Sequence, residues 1–105
     1  MKVVYNTCFG GFSISRKCAE WLAARGNLEC INMLDDPVSW HGGLYKTPRH
    51  DPTLVLAVEH LGSQVSSGSC AKLALHVLQG DRYYIEEYDG NEGVIEPKAI
   101  EWIVV

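Results

Sequence analysis

The chain has no stretch in which lysine and arginine cluster. Its nine basic residues are scattered among thirteen acidic ones, for a formal charge of -4, so a nucleic-acid backbone is not an expected partner. It has no apolar run long enough to cross a bilayer. The opening Met1-Lys2-Val3-Val4-Tyr5-Asn6 turns polar before a signal-like apolar region forms, so neither membrane insertion nor export is expected. No CxxC pair and no closely spaced histidine pair occurs, which argues against a zinc site. Neither glycine pair, Gly10-Gly11 or Gly42-Gly43, has Walker or Rossmann spacing. The turn around Asp89 is too short for an EF-hand. No metal and no cofactor is expected on these grounds.

What is present suits an ordinary folded domain. A chain of 105 residues that is 47% hydrophobic and 21% charged can offset the entropy of ordering by burying apolar surface. We expect a single domain over residues 1–105. The cysteines Cys8, Cys18, Cys30 and Cys70 read as free thiols in a reducing, cytoplasmic compartment. Cys18 and Cys70 fall on apolar stripes and are expected to fill space as small hydrophobes.

The local patterns give an element order. Lys2 to Thr7 is β-branched and aromatic and predicts a strand, after which Gly10-Gly11 redirects the chain. Ser13 is the expected N-cap of a helix over residues 14–25, in which Ile14, Cys18, Trp21, Leu22 and Arg25 share a face. Gly26 ends it. The alternation of Leu28 to Met33 predicts a short strand, and residues 34–49, with two prolines and a glycine pair, predict a long loop. Asp51 and Pro52 announce a second helix by capping and by occupying the first position. Its buried stripe is expected to be Leu54, Val55, Val58, Leu61 and Val65. Residues 70–78 and 83–88 predict strands, and Asp89-Gly90 predicts a hairpin to a partner near 93–96. Residues 99–105 fit either a strand or a short helix. The expected fold class is α+β, with two helices packed on one face of a mostly antiparallel sheet of four to five strands.

Several residues are candidates for chemistry. Asn6 to Ser13 joins a strand to a helix N-terminus, and its Gly10-Gly11 pair leaves backbone N–H groups approachable. That turn is a candidate anion site, but a tight strand-to-helix turn needs glycine whether or not anything binds, and the plain turn is the first reading. Cys8 lies near the same helix start, where a thiolate is favoured, but needs a base from His41, His50, His60 or His76. Arg49 and Asp51 sit at the next helix start, where Arg49 can grip an anion in bidentate fashion or pair with a surface acid. Glu86 and Tyr88 alternate onto one face, with Glu92 across the turn. Trp40, His41 and Tyr45 give the long loop rigid rings suited to recognition, or to anchoring the loop itself.

Three blocks, Val4-Tyr5-Asn6 with Gly10-Gly11-Phe12-Ser13, Arg49-x-Asp51-Pro52 leading to Val58-Glu59-x-Leu61-Gly62, and Glu87-Tyr88-Asp89-Gly90-x-Glu92, resemble a family of small, mostly uncharacterised proteins of bacteriophages and bacterial genomes. The resemblance implies a phage or prophage setting, hence the host cytoplasm, where short acidic proteins block host enzymes or capture signalling nucleotides. The leading expectation is a non-enzymatic accessory protein that binds a host-derived anionic, nucleotide-like ligand through Asn6, Cys8, Gly10, Gly11, Ser13, Arg49, Asp51, Tyr88 and Glu92. The alternative is a protein-interaction inhibitor of a host enzyme acting through Trp40, His41 and Tyr45. A small enzyme using Cys8 or the carboxylates Glu86 and Glu92 comes third. A homo-oligomer is compatible with each.

Overall fold

A computed structural model describes residues 1–36 and 40–97. In chain order its elements are β1 (Lys2–Asn6), α1 (Arg16–Ala23), α2 (Leu28–Leu34), α3 (Pro52–Ser66), β2 (Leu73–Val77), β3 (Tyr84–Tyr88) and β4 (Asn91–Ile95). The class is α+β. Among the described residues there are three helices, and the strands form two antiparallel pairs, β1 with β2 and β3 with β4. The expected arrangement of two helices on one sheet of four to five strands is corrected on both counts.

The extra helix replaces the strand expected at residues 28–33. Asn27 accepts the Cys30 N–H at 3.0 Å and caps α2, which satisfies one of the donors that a helix start leaves open. Cys30 and Met33, three apart, then face the core. Leu28, read as part of an apolar alternation, is 73% exposed. Six residues do not distinguish the two periods, and the cap decided the matter.

The split of the sheet has its own cause. Beyond Asn6, where a continuous sheet requires a main-chain acceptor, the Asn6 N–H instead meets the carboxylate of Glu92 at 2.9 Å. A side chain stands between β1 and the β3–β4 hairpin, so the ladder does not continue.

Helix α1 starts two residues later than expected. Ser15, not Ser13, accepts the Cys18 N–H at 3.0 Å, and Gly26, at φ +91, turns the chain after it. In α3, Asp51 accepts the Leu54 N–H at 2.9 Å and Pro52 occupies the first turn. Leu54, Val55 and Val58 are buried as expected, whereas Val65 is exposed. Gly62, at φ +83 and ψ 160, breaks the helical path and takes the last turn off the stripe. The hairpin turn has positive φ at both Asp89 (53°) and Gly90 (85°), the pattern of a type I′ turn.

The core gathers Val4, Ile14, Cys18, Leu22, Cys30, Leu54, Val58 and Leu73 among its members. All four cysteines are free thiols. Cys30 fills the buried role expected of Cys70, which is exposed at φ 58. The reading of residues 99–105 falls outside the described residues. No helix among the described residues is long and apolar enough to cross a membrane.

Candidate functional site

Two places gather the residues singled out by the sequence. The first lies where β1, the approach to α3 and the hairpin meet. Arg49 donates through both terminal nitrogens to Glu92, at 2.6 and 2.8 Å, and lies over the Phe12 ring at 3.6 Å. Its backbone carbonyl accepts the Val4 N–H at 2.8 Å. The Glu92 side chain is 3% exposed and that of Arg49 20%. A bidentate pair with a stacked guanidinium is the strongest form of this contact.

Asn6 completes the arrangement. Fully buried, it donates from Nδ2 to the carbonyls of Cys8 (2.6 Å) and Gly90 (2.8 Å). Its Oδ1 accepts the N–H groups of Cys8 (3.2 Å) and Lys72 (2.8 Å). Two donors and two acceptor positions exhaust what an amide side chain offers. Asn6, Arg49 and Glu92 therefore meet, as a closed network that joins β1, β2 and the hairpin.

The nearby glycines serve close packing. The Gly10 N–H donates to the Cys70 carbonyl at 3.0 Å, and a Cβ on Gly10 would lie 2.2 Å from that oxygen. A Cβ on Gly90 would lie 2.1 Å from the Phe9 carbonyl and 2.7 Å from the Gly11 nitrogen. The hairpin turn thus sits against the Gly10-Gly11 turn. Ser13 is wedged beside Gly68, whose N–H it accepts at 3.0 Å through its carbonyl. Cys8 is half-buried, and Asp51 is engaged as the α3 cap. Tyr88, 83% exposed, borders a shallow concavity of about 290 Å³ with Glu86, Asn91, Glu92 and Gly93. His50 Nδ1 meets the Tyr83 hydroxyl at 2.6 Å, and burial pushes that phenol up, against the opposing pull of the Arg49 charge and of a bond from His50.

The second place is a groove of about 500 Å³ between α2 and the loop that follows it, lined by Leu28, Glu29, Asn32, Met33, Asp36, His41, Gly43, Tyr45 and Lys46. The loop is held from behind. Trp40 packs on the core with Arg16 over its ring at 5.7 Å, Leu44 is buried, and Gly42 accepts the Ile14 N–H at 2.8 Å. So anchored, the loop presents His41 and Tyr45 outward with ring centroids 6.0 Å apart. The Tyr45 hydroxyl lies 3.0 Å from where a Gly43 Cβ would be, so the ring packs closely over the Gly43 backbone.

Glu29 is the residue of this place that the sequence reading missed. Its carboxylate accepts the N–H of Tyr45 (2.6 Å), of Lys46 (3.0 and 3.1 Å) and of Thr47 (3.0 Å), together with the Thr47 hydroxyl (2.9 Å). Burial alone would raise its pKa, but the bonds from Tyr45, Lys46 and Thr47 outweigh that and hold it below the usual carboxylate value. Asn27 followed two residues later by an acid is a helix-start signature, and was the available signal.

The two core thiols are unreactive by environment. Burial, with Cys30 nearby, pushes Cys18 up to about 12, and burial with the Glu29 charge pushes Cys30 up to about 11. Among the described residues no group of three or more His, Cys, Asp or Glu side chains is placed to hold a metal ion. Compared with models of protein families, with curated proteins and with solved structures, the chain matches none of them.

Proposed function

We propose that this chain is an accessory protein that binds a small, flat, anionic ligand of nucleotide-like chemistry without turning it over, and that the binding face is the groove between α2 and residues 41–46. One observation carries this reading. An open groove of about 500 Å³ falls in the range of small-molecule sites, and the His41 and Tyr45 rings, tilted by 39° with centroids 6.0 Å apart, stand at its edge, where a planar group can pack against them. Lys46 lines the same groove, together with the acids Glu29 and Asp36. Arg49, the cation that the sequence offered for this purpose, is neutralised by Glu92, which moves the reading from the first turn to the groove. The phage setting and a counter-defence role draw on the sequence resemblance.

Binding without turnover draws support from Glu92, one of the carboxylates considered for catalysis, which is held by Arg49 and Asn6. The test is a titration with a panel of cyclic and linear nucleotides, followed by amide NMR and by thermal shift. The expected result is perturbation of the groove residues by at least one of them, abolished in Tyr45→Ala without a change in Tm. Silence of those signals across the panel would sink the reading.

A second reading, a surface that inhibits a host enzyme, is favoured by the exposure of Tyr45 (86%) and Leu28 (73%), since exposed aromatic and aliphatic groups beside a groove suit a protein partner. It requires a stoichiometric partner from host lysate that is lost on Tyr45→Ala. Trp40→Ala is the poorer probe, because Trp40 packs on the core.

A further inference from the structure

We propose that the turn Tyr45-Lys46-Thr47 is an oxyanion cradle whose occupant, the Glu29 carboxylate, gives way to a phosphoryl or carboxylate group of a ligand lying in the groove. Three successive backbone N–H groups and one hydroxyl converge on a single anionic group. Consecutive N–H groups aimed at one point form an anion-binding concavity whichever anion fills it.

The hydroxyl is set for this task. Thr47 Oγ1 accepts from Asn27 Nδ2 at 3.1 Å, which directs its own proton to the Glu29 oxygen at 2.9 Å. Asn27 has a double role, since its Oδ1 caps α2. The donors are thereby fixed by the backbone and by a capped helix start, while the anion rides on a side chain with rotatable bonds. Fixed donors around a movable acceptor are the arrangement in which an outside anion can compete.

The cradle opens on the groove, because Glu29, Tyr45 and Lys46 all line it. A phosphoryl group brings more negative charge and three acceptor oxygens against the carboxylate's two. It can therefore use the four donors at least as fully. Glu29, once displaced, is freed to solvent at the groove wall. The inference deepens the groove reading by naming which end of the ligand meets the 45–47 turn, and only the ligand's ring depends on that reading.

The test uses the whole chain, labelled with nitrogen-15, as wild type, Glu29→Ala and Glu29→Gln. Inorganic phosphate is titrated at constant ionic strength against chloride. In the wild type the resident carboxylate competes, so the amide signals of Tyr45, Lys46 and Thr47 move saturably but only at high phosphate. In Glu29→Ala they move saturably, at concentrations about tenfold lower or less, and phosphate raises the Tm where chloride does not. Glu29→Gln, which keeps the shape but sets an amide against the donors, behaves in the same direction. It carries the test alone should the alanine variant fail to fold. The proposal is overturned if those three amides stay still in the folded variants, or if chloride reproduces the shifts. A nucleoside lacking phosphate separates the two readings: shifts at His41 and Tyr45 side chains report the groove, and phosphate-dependent shifts at 45–47 report the cradle.

Discussion

Arg49 and Glu92, forty-three positions apart in the chain, face each other through two parallel N–H···O contacts of 2.6 and 2.8 Å. The carboxylate also receives the Asn6 N–H. The pair lies mostly out of water, with the acid at 3% side-chain exposure, so losing one partner leaves a charge with no substitute solvent.

Arg49→Ala is therefore expected to destabilise the fold by about 3 kcal/mol, measured as a shift of the urea midpoint. Arg49→Lys recovers only a small part, since an ammonium cannot reproduce the two parallel contacts or the stack on Phe12. The double variant Arg49→Leu with Glu92→Leu loses less than the two single changes summed. A strictly additive result contradicts the coupling.

Asn6→Asp tests the amide's orientation. The new oxygen faces the carbonyls of Cys8 and Gly90, where Nδ2 had donated. A loss of about 3 kcal/mol at neutral pH follows from stranding those acceptors and burying a charge. The loss shrinks as pH falls, because protonation gives back a donor. Equal destabilisation at pH 7 and pH 4 would contradict the assignment.

Acid titration reads another contact. The His76 ring bond at 2.7 Å holds Glu96 below the ordinary carboxylate value of 4.5; slight desolvation opposes this, and the N–H groups of Gly80 and Gln79 assist. A carboxyl whose folded pKa lies below its unfolded one contributes stability in full above about 4.5, and loses it as pH falls through the folded value. Glu29 titrates in the same sense. Urea midpoints measured from roughly pH 6 down to pH 3 should fall, with a shallower slope in Glu96→Gln and in Glu29→Gln.

The thiols should divide by environment. Cys70 is exposed and Cys8 half-buried, while Cys18 and Cys30 are buried and raised well above their ordinary value. Alkylation of the native protein is expected to modify Cys70 and then Cys8, with Cys18 and Cys30 reacting only after denaturant is added. Peptide mass spectrometry resolves the order.

These outcomes separate what the sequence could reveal from what it could not. β1, α3 with its Asp51 cap, and the Asp89-Gly90 turn are set by local preference and were legible. α2 was not, because Leu28 to Met33 is too short to distinguish a period of two from one of 3.6, and the deciding group, the Asn27 side chain, lies outside the run. The meeting of Asn6, Arg49 and Glu92 was legible only as a set of polar residues in distinctive blocks. That they satisfy one another follows from tertiary contacts across 43 and 86 positions. Glu29 was hidden for the same reason: its partners lie 16 to 18 residues on, in a loop without periodicity.

The Gly90 turn and the Glu92 carboxylate reach Asn6 across separations of 84 and 86 residues, while the β3–β4 register is complete within twelve residues of chain, Tyr84 to Ile95. A unit so locally closed, yet tied to the body by a few long-range polar contacts, can form early and dock late, because closing the long loop carries an entropy cost that the hairpin itself does not. The same contacts make the hairpin the piece expected to lift away before the α1–α3 core opens, which amide exchange at residues 84–95 would show as earlier loss of protection.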